Sequence, residues 1–174
     1  MLFPEGVGLH SVMRAINNCD ERCSFDTTVK SSRVLSLASK NKMIVLHQEN
    51  NSPLPMISNR DFVEKRIKFE HDGITYVFIS SVPEEVHPPL ANMCRIDTVM
   101  GFQTYEVLPS GQVMLRSILQ SNLKLTGVMA KMQLAAAITA IPKQVQAWHT
   151  LLQNHLLSKQ TTETGISCST YKQK

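Results

Sequence analysis

The feature that most constrains the fold of this chain is a series of six segments in which apolar and polar residues alternate. They span residues 29–37, 43–48, 61–70, 74–82, 94–108 and 112–123. Several of the breaks between them are short and turn-rich, as in His71-Asp72-Gly73 and Pro109-Ser110-Gly111. Short turns connect antiparallel neighbours, whereas parallel strands need a crossover of about a dozen or more residues. The sequence therefore predicts an antiparallel meander.

Helical periodicity flanks the predicted strands on both sides. A short apolar stripe lies in residues 9–23, and a longer one runs through residues 128–157. The longer stripe contains Leu134, Ile138, Ile141, Val145, Trp148 and Leu152. Pro142 predicts a kink or a break within it. Helix, meander and long C-terminal helix predict an α+β fold in which a curved antiparallel sheet is closed by the last helix. The pattern leaves open whether the sheet and helix enclose a solid core or a cavity.

Composition indicates one folded domain and limits its partners. Of the 174 residues 43% are hydrophobic and 18% are charged, a balance typical of globular proteins. The net charge of +4 is spread along the chain, so we expect no nucleic-acid partner. The first residues given show no basic region followed by a long apolar run, so no secretory signal is visible, and no apolar run reaches the ~20 residues that span a membrane. We therefore expect a cytoplasmic protein with free thiols, ending in a polar, disordered tail at residues 158–174.

No motif for catalysis or for a resident cofactor is visible. The chain lacks a Gly-x-Ser-x-Gly elbow, a Gly-rich phosphate loop and a His-Glu-x-x-His motif. Cys19 and Cys23 share a predicted helix, but two thiols do not make a zinc site. His149 and His155 flank the C-terminal stripe and have no recognisable nucleophile beside them. We expect a protein that is not an enzyme and that uses no cofactor and no metal.

The segment Arg60-Asp61-Phe62 resembles a signature of the StAR-related lipid-transfer (START) family. In that family it opens a central strand after a proline-containing loop, and here Pro53 and Pro55 precede it. Residues 20–26 resemble the Arg-x-x-Trp-Asp stretch of the family, with Phe25 in the place of Trp. Further similarities follow in the family's order at Ser80-Ser81-Val82-Pro83, Pro88-Pro89, Arg95 and Gly127. The resemblance covers residues 1–157.

This resemblance implies a START-like helix-grip domain over residues 1–157 that holds one lipid in a hydrophobic cavity. The function it implies is transfer of that lipid between membranes, with transient contact at the membrane surface through the loop of residues 50–58. The alternative is an interaction or regulatory module that keeps the fold without a working cavity. START domains usually begin with a helix and three strands before the helix at Leu9. Their absence here predicts an exposed sheet edge, through which a homodimer could form.

Arg22 is the sharpest site hypothesis. It occupies the place of an Arg that meets the lipid phosphate in phosphatidylcholine-carrying members of the family. A guanidinium group can pair with phosphate through two parallel hydrogen bonds. The alternative is a surface Arg near a helix end, paired with Asp20 or Asp26. The preference for a phospholipid such as phosphatidylcholine over a sterol depends on Arg22.

The other predicted contacts lie on the strands and on the last helix. The resemblance places Phe62, Glu64 and Arg66 inward, whereas alternation favours the face of Ile67 and Phe69. Facing inward, Glu64 and Arg66 would pair and hold a polar headgroup, and an enzyme on a related fold would have to use the same pair. The predicted apolar contacts are Tyr76, Phe78, Val99, Tyr105, Ile141, Trp148 and Leu152. For any single one of them, an ordinary core residue is the better interpretation.

Overall fold

The computed structural model describes residues 1–38, 42–51, 58–124 and 142–160. Two helices come first, α1 (Leu9–Asn17) and α2 (Cys19–Phe25). The strands that follow are β1 (Val29–Ala38), β2 (Met43–Asn50), β3 (Arg60–His71), β4 (Ile74–Ser81), β5 (Cys94–Arg95), β6 (Asp97–Val107) and β7 (Val113–Asn122). Residues 142–160 are helical and are called α3.

The single helix predicted over residues 9–23 is divided in two at Asn18. This residue is extended, with φ −83° and ψ 127°, and its side chain accepts a hydrogen bond from the Glu21 backbone N–H. Asn in this position is an N-cap, which satisfies a donor that the helix itself leaves without a partner. The spacing of apolar residues predicts one helix because it contains no information about the capping side chain of Asn18. α1 buries Val12, Ala15 and Ile16.

The sheet confirms the predicted antiparallel meander, with the order β1-β2-β3-β4-β6-β7. The exception is β5, because the predicted segment 94–108 divides at Ile96 and its first two residues run parallel to the start of β3. This pairing sets Arg95 beside Asp61. A β-bulge lies in β6 between Thr98 and Met100. The predicted α+β fold, a curved antiparallel sheet closed by a C-terminal helix, is confirmed.

The hydrophobic core lies between one face of the sheet, here called the inner face, and the helices. Strand residues of this core are Val77, Ile79, Tyr105, Val113 and Leu115, and α3 contributes Leu152 and Leu156. Burying each large apolar side chain is worth about 1.5–3 kcal/mol, so α3 is held mainly by this contact. α3 extends to residue 160, beyond the predicted boundary at 157. Residues 128–141 of the predicted helix and 161–174 of the predicted tail lie outside the described residues.

The opposite, outer face carries a row of partly exposed aromatic side chains. Tyr76 and Phe78, predicted as cavity walls, lie here, because Val77 between them faces the core. Tyr76 stacks on Phe69 with ring centroids 4.9 Å apart, and Phe78 contacts Phe102 at the same distance. The predicted inward placement of Tyr76 and Phe78 is therefore corrected. In β4 the smaller β-branched residues, and not the aromatic ones, face the core.

Candidate functional site

Glu64 and Arg66 lie on the inner face and form an ion pair, with Arg66 Nη2 2.8 Å from Glu64 Oε2. The Thr98 hydroxyl donates to Glu64 Oε1 at 2.7 Å. The side chains of Glu64 and Arg66 are only 8% and 13% exposed, whereas Ile67 and Phe69 on the outer face are 38% and 40% exposed. The inward placement implied by the resemblance is thus the observed one. Alternation alone is misleading here because the charged pair satisfies itself inside the fold.

The hydrogen-bonded chain continues from Arg66 to Tyr105. Arg66 Nη1 donates to Asn17 Oδ1 at 3.2 Å, and Asn17 Nδ2 donates to the Tyr105 hydroxyl at 3.2 Å. That hydroxyl donates in turn to Gln103 Oε1 at 2.7 Å. Burial raises the pKa of Tyr105 to about 12, so the phenol stays protonated. Together with Glu64, these groups form a polar chain across the inner face that joins α1 to β3 and β6.

Arg22 lies beside α3 and is held on two sides. Its Nε and Nη2 each lie 2.7 Å from Asp26 Oδ2. The guanidinium carbon lies 4.7 Å from the centroid of the Trp148 ring, and Trp148 donates its indole N–H to the same Asp26 oxygen at 2.9 Å. The side chain of Arg22 is 21% exposed and that of Asp26 is 1% exposed. The predicted pairing with Asp26 is therefore present, but it lies in a largely enclosed place and not on the open surface.

The charges of this region are balanced in pairs. Burial lowers the pKa of Arg22, and the positive charge of Arg66 acts in the same direction, while Asp26 opposes both. Burial would raise the pKa of Asp26, but Arg22 and hydrogen bonds from Thr28 and Trp148 outweigh it, and this pKa lies below its usual range. The two guanidinium groups are thus close enough to interact. Each of them has its own carboxylate, Asp26 for Arg22 and Glu64 for Arg66.

Two open spaces adjoin the polar chain. A cavity of about 210 Å³ lies between α1 and strands β2, β3 and β4. Its lining combines apolar Met13, Ile44 and Val77 with polar or charged side chains, which are His10, Arg14, Asn17, Lys42, Arg66 and Lys68. A larger groove of about 730 Å³ shares Asn17 and Ile44 with this cavity and continues past α2 over Val34 and Leu37 of β1. Small-molecule sites commonly measure about 300–1,000 Å³, so the groove is of a size that accepts an organic ligand.

The remaining predicted contacts lie in different places. Phe62 is half-buried and lies two residues before Glu64 on the same strand face. Leu152 is fully buried in the core. Val99 lies at the β-bulge of β6 and is 58% exposed, so its predicted place in a cavity wall is corrected. Ile141 lies outside the described residues.

The sequence did not indicate Asn17, Thr98 or Gln103 as members of the polar chain. Neutral polar residues of this kind occur at every helix end and strand, so their type carries no signal. The pairing of Asp26 with Arg22 could be predicted from the sequence, because Asp26 follows Arg22 by four residues and side chains at this spacing are neighbours on a helix. Among the residues that the structure describes, no three His, Cys, Asp or Glu side chains are grouped closely enough to hold a metal.

Solved structures with this fold include StAR-related lipid-transfer domains. Human StAR-related lipid transfer protein 5 superposes with a TM-score of 0.76 at 16% identity, over 91% of this chain and 74% of that one. For human STARD10 the TM-score is 0.72 at 15% identity, over 94% of this chain and 62% of that one. A StAR-related lipid transfer protein of Xanthomonas axonopodis superposes with a TM-score of 0.68 at 15% identity. The match covers 89% of this chain and 82% of that one.

These similarities establish the fold. The chain has the helix-grip architecture of START domains, and it spans 62% of the STARD10 chain. No protein-family model and no curated protein matches its sequence. Within the described ranges, none of the helices is long and apolar enough to cross a membrane.

Proposed function

We propose that this chain binds one lipid molecule against the inner face, in the cavity between α1 and strands β2, β3 and β4, and transfers it between membranes without catalysing a reaction. The observation that carries the proposal is the position of Arg66, which belongs to a largely buried ion pair and also lines a cavity that has Met13, Ile44 and Val77 in its wall. An amphiphile requires this combination of an apolar wall and a few fixed polar groups. Removing its carbon atoms from water is favourable by about 25 cal/mol per Å².

The cargo we favour is a zwitterionic phospholipid such as phosphatidylcholine. Arg22 and Arg66 are matched by Asp26 and Glu64, so each of these two pairs is neutral. A headgroup with one phosphate and one quaternary ammonium keeps that balance, with the phosphate on a guanidinium group and the ammonium beside a carboxylate or the Trp148 ring. A sterol hydroxyl would need only one of these groups.

Exchange of the lipid requires part of the fold to open. We propose that the C-terminal helix and the loop of residues 50–58 open in transient contact with a cytoplasmic membrane surface, and that bound lipid favours the closed state. α3 is tied to the rest of the domain by polar contacts as well as by its core residues. Glu21 accepts from Lys159 at 2.7 Å and lies 3.2 Å from His155. The Glu21 side chain is only 6% exposed in these pairs, and it becomes accessible to water when α3 moves away.

The test is native mass spectrometry of the purified chain after incubation with phosphatidylcholine vesicles, followed by extraction and lipid identification. The expected result is one phospholipid per chain, with strongly reduced occupancy in Arg22→Ala. Arg116→Ala is the matched control, because it removes the same charge from an exposed site on β7 and should retain the lipid. A folded chain that takes up no phospholipid, fatty acid or sterol would overturn the proposal and leave the interaction module as the better explanation.

A further inference from the structure

Four cationic side chains surround the openings of the cavity and of the groove beside it. Arg14, Lys42 and Lys68 line the cavity, and Arg14 also lines the groove together with Arg33. The side chains of Arg14 and Lys68 are 60% and 42% exposed, and Arg33 and Lys42 are exposed as well. These four residues are here called the basic rim. They come from α1, β1, the residue before β2, and β3, so the fold brings them together from separate elements.

Half of the basic rim has no carboxylate to balance it. In the ranges that the structure describes, Arg33 and Lys42 form no ion pair. Asp20 is the only carboxylate among the described residues that line the cavity and the groove. The positive charges of Arg33 and Lys42 therefore face solvent beside the two openings.

The other half of the basic rim is balanced only in part. Arg14 lies 2.8 Å from Glu21, but the same carboxylate group lies 2.7 Å from Lys159, so one negative charge serves two cations. Lys68 has Glu70 at 3.1 Å, and both side chains of this pair are exposed. Exposed pairs of this kind are weak and exchange readily with other partners. The cations around the two openings thus outnumber the carboxylates that contact them.

Two exposed apolar side chains lie beside these cations. Val34 and Leu37 of β1 are 45% and 59% exposed, and both line the groove that Arg14 and Arg33 line. Apolar side chains next to Lys and Arg suit the surface of an anionic bilayer. The apolar groups reach the boundary with the acyl chains, while the cations contact the headgroups.

We propose that the basic rim docks the opening of the cavity on a bilayer that contains anionic phospholipids. This inference rests on the proposed function in one respect, since a lipid carrier must meet the membrane from which it loads. Val34 and Leu37 enter the interface, and the cations contact the headgroup phosphates. A soluble polyanion such as a nucleic acid would use the cations alone and leave Val34 and Leu37 in water. The loop of residues 50–58 begins at the far end of β2 and is not needed for this contact.

The first experiment measures flotation of the full 174-residue chain with vesicles of phosphatidylcholine, alone or mixed with phosphatidylserine. The expected result is binding to the mixed vesicles that weakens as the salt concentration rises, because ions screen exposed charges. Arg33→Gln and Lys42→Gln should each weaken this binding about fivefold. Arg116→Gln is the matched control, because Arg116 is an equally exposed arginine on the outer face, and its loss should leave binding unchanged.

A second pair of variants distinguishes a bilayer from a soluble anion. Leu37→Ser leaves the charge unchanged but removes an apolar side chain from the surface, so it should weaken binding to the mixed vesicles. Ile118→Ser is the control, because Ile118 is 65% exposed on the outer face and should not touch the bilayer. Unchanged vesicle binding in Leu37→Ser would show that the cations hold a soluble polyanion, and it would overturn the proposal.

Vesicle binding and lipid uptake are separate measurements, so this inference and the proposed function can fail independently. A chain that takes up phosphatidylcholine but binds both kinds of vesicle equally, or neither, overturns the docking surface and leaves the lipid cavity standing. A chain that binds the mixed vesicles through Arg33 and Lys42 but takes up no lipid supports the docking surface and overturns the proposed function.

Discussion

At the residue scale, Asp61 joins three parts of the domain that are far apart in sequence. Its carboxylate lies 2.7 Å from Arg95 Nη2 and 3.1 Å from His47 Nε2. Arg95 also donates to the carbonyls of His87 and Pro88, at 2.7 Å and 3.3 Å, which ties the connection between β4 and β5 to the outer face. The side chains of Asp61 and Arg95 are 0% and 1% exposed. Loss of one partner from such a pair leaves an uncompensated charge inside the protein.

We expect Asp61→Asn to lower the free energy of unfolding by about 3–5 kcal/mol. Burial would raise the pKa of Asp61, but Arg95 and His47 outweigh it and hold that pKa below its usual range. Asp61 therefore contributes stability above its unfolded pKa of about 3.9, and this contribution is lost as the pH falls through the lower, folded pKa. Urea unfolding between pH 7 and pH 3 should show a weaker acid dependence in the variant.

Asp72→Asn serves as the control for this prediction. Asp72 lies in the exposed β3–β4 turn, with its side chain 83% exposed and φ at 49°, a conformation that Asn also accepts. Its free energy of unfolding and its acid dependence should match those of the unmodified chain. An Asp61→Asn protein with unchanged stability would show that the buried contacts of Asp61 contribute nothing.

At the scale of elements, α3 packs on the core through one buried face. Two neighbouring leucines, Leu151 and Leu152, lie on the exposed and the buried face of this helix. Leu152 is fully buried, whereas Leu151 is 43% exposed. We expect Leu152→Ala to lower the free energy of unfolding by about 2–5 kcal/mol, since it removes methyl groups from a packed core. Leu151→Ala should change it by less than about 0.5 kcal/mol. Similar urea midpoints for the two variants would contradict the observed orientation of α3.

The same scale explains which parts of the structure the sequence could predict. Strands β1 to β4 and β7 were recognisable because alternation and turn residues are local signals. The parallel pairing of β5 was not, because two residues carry no period and the pairing depends on Arg95 reaching Asp61. The prediction placed Tyr76 and Phe78 on the inner face because they are the largest apolar residues of β4. In the structure Val77 and Ile79 face the core instead. Glu64 and Arg66 were placed inward only through the family resemblance, because their partners Thr98 and Asn17 are far away in sequence.

At the scale of the whole molecule, a ligand that binds only the folded chain must stabilise it. A bound lipid raises the free energy of unfolding by about 2.7 kcal/mol at a free concentration of 100 times its dissociation constant. We expect a short-chain phosphatidylcholine, used below its micelle concentration, to raise the melting temperature of the unmodified chain and of Arg116→Ala. The shift should be much smaller in Arg22→Ala. Trp148 is the sole tryptophan of the sequence and contacts both Arg22 and Asp26, so its fluorescence should change in the same titration. A zwitterionic detergent of equal chain length that gave the same shifts would show that the headgroup contact with Arg22 does not select the ligand.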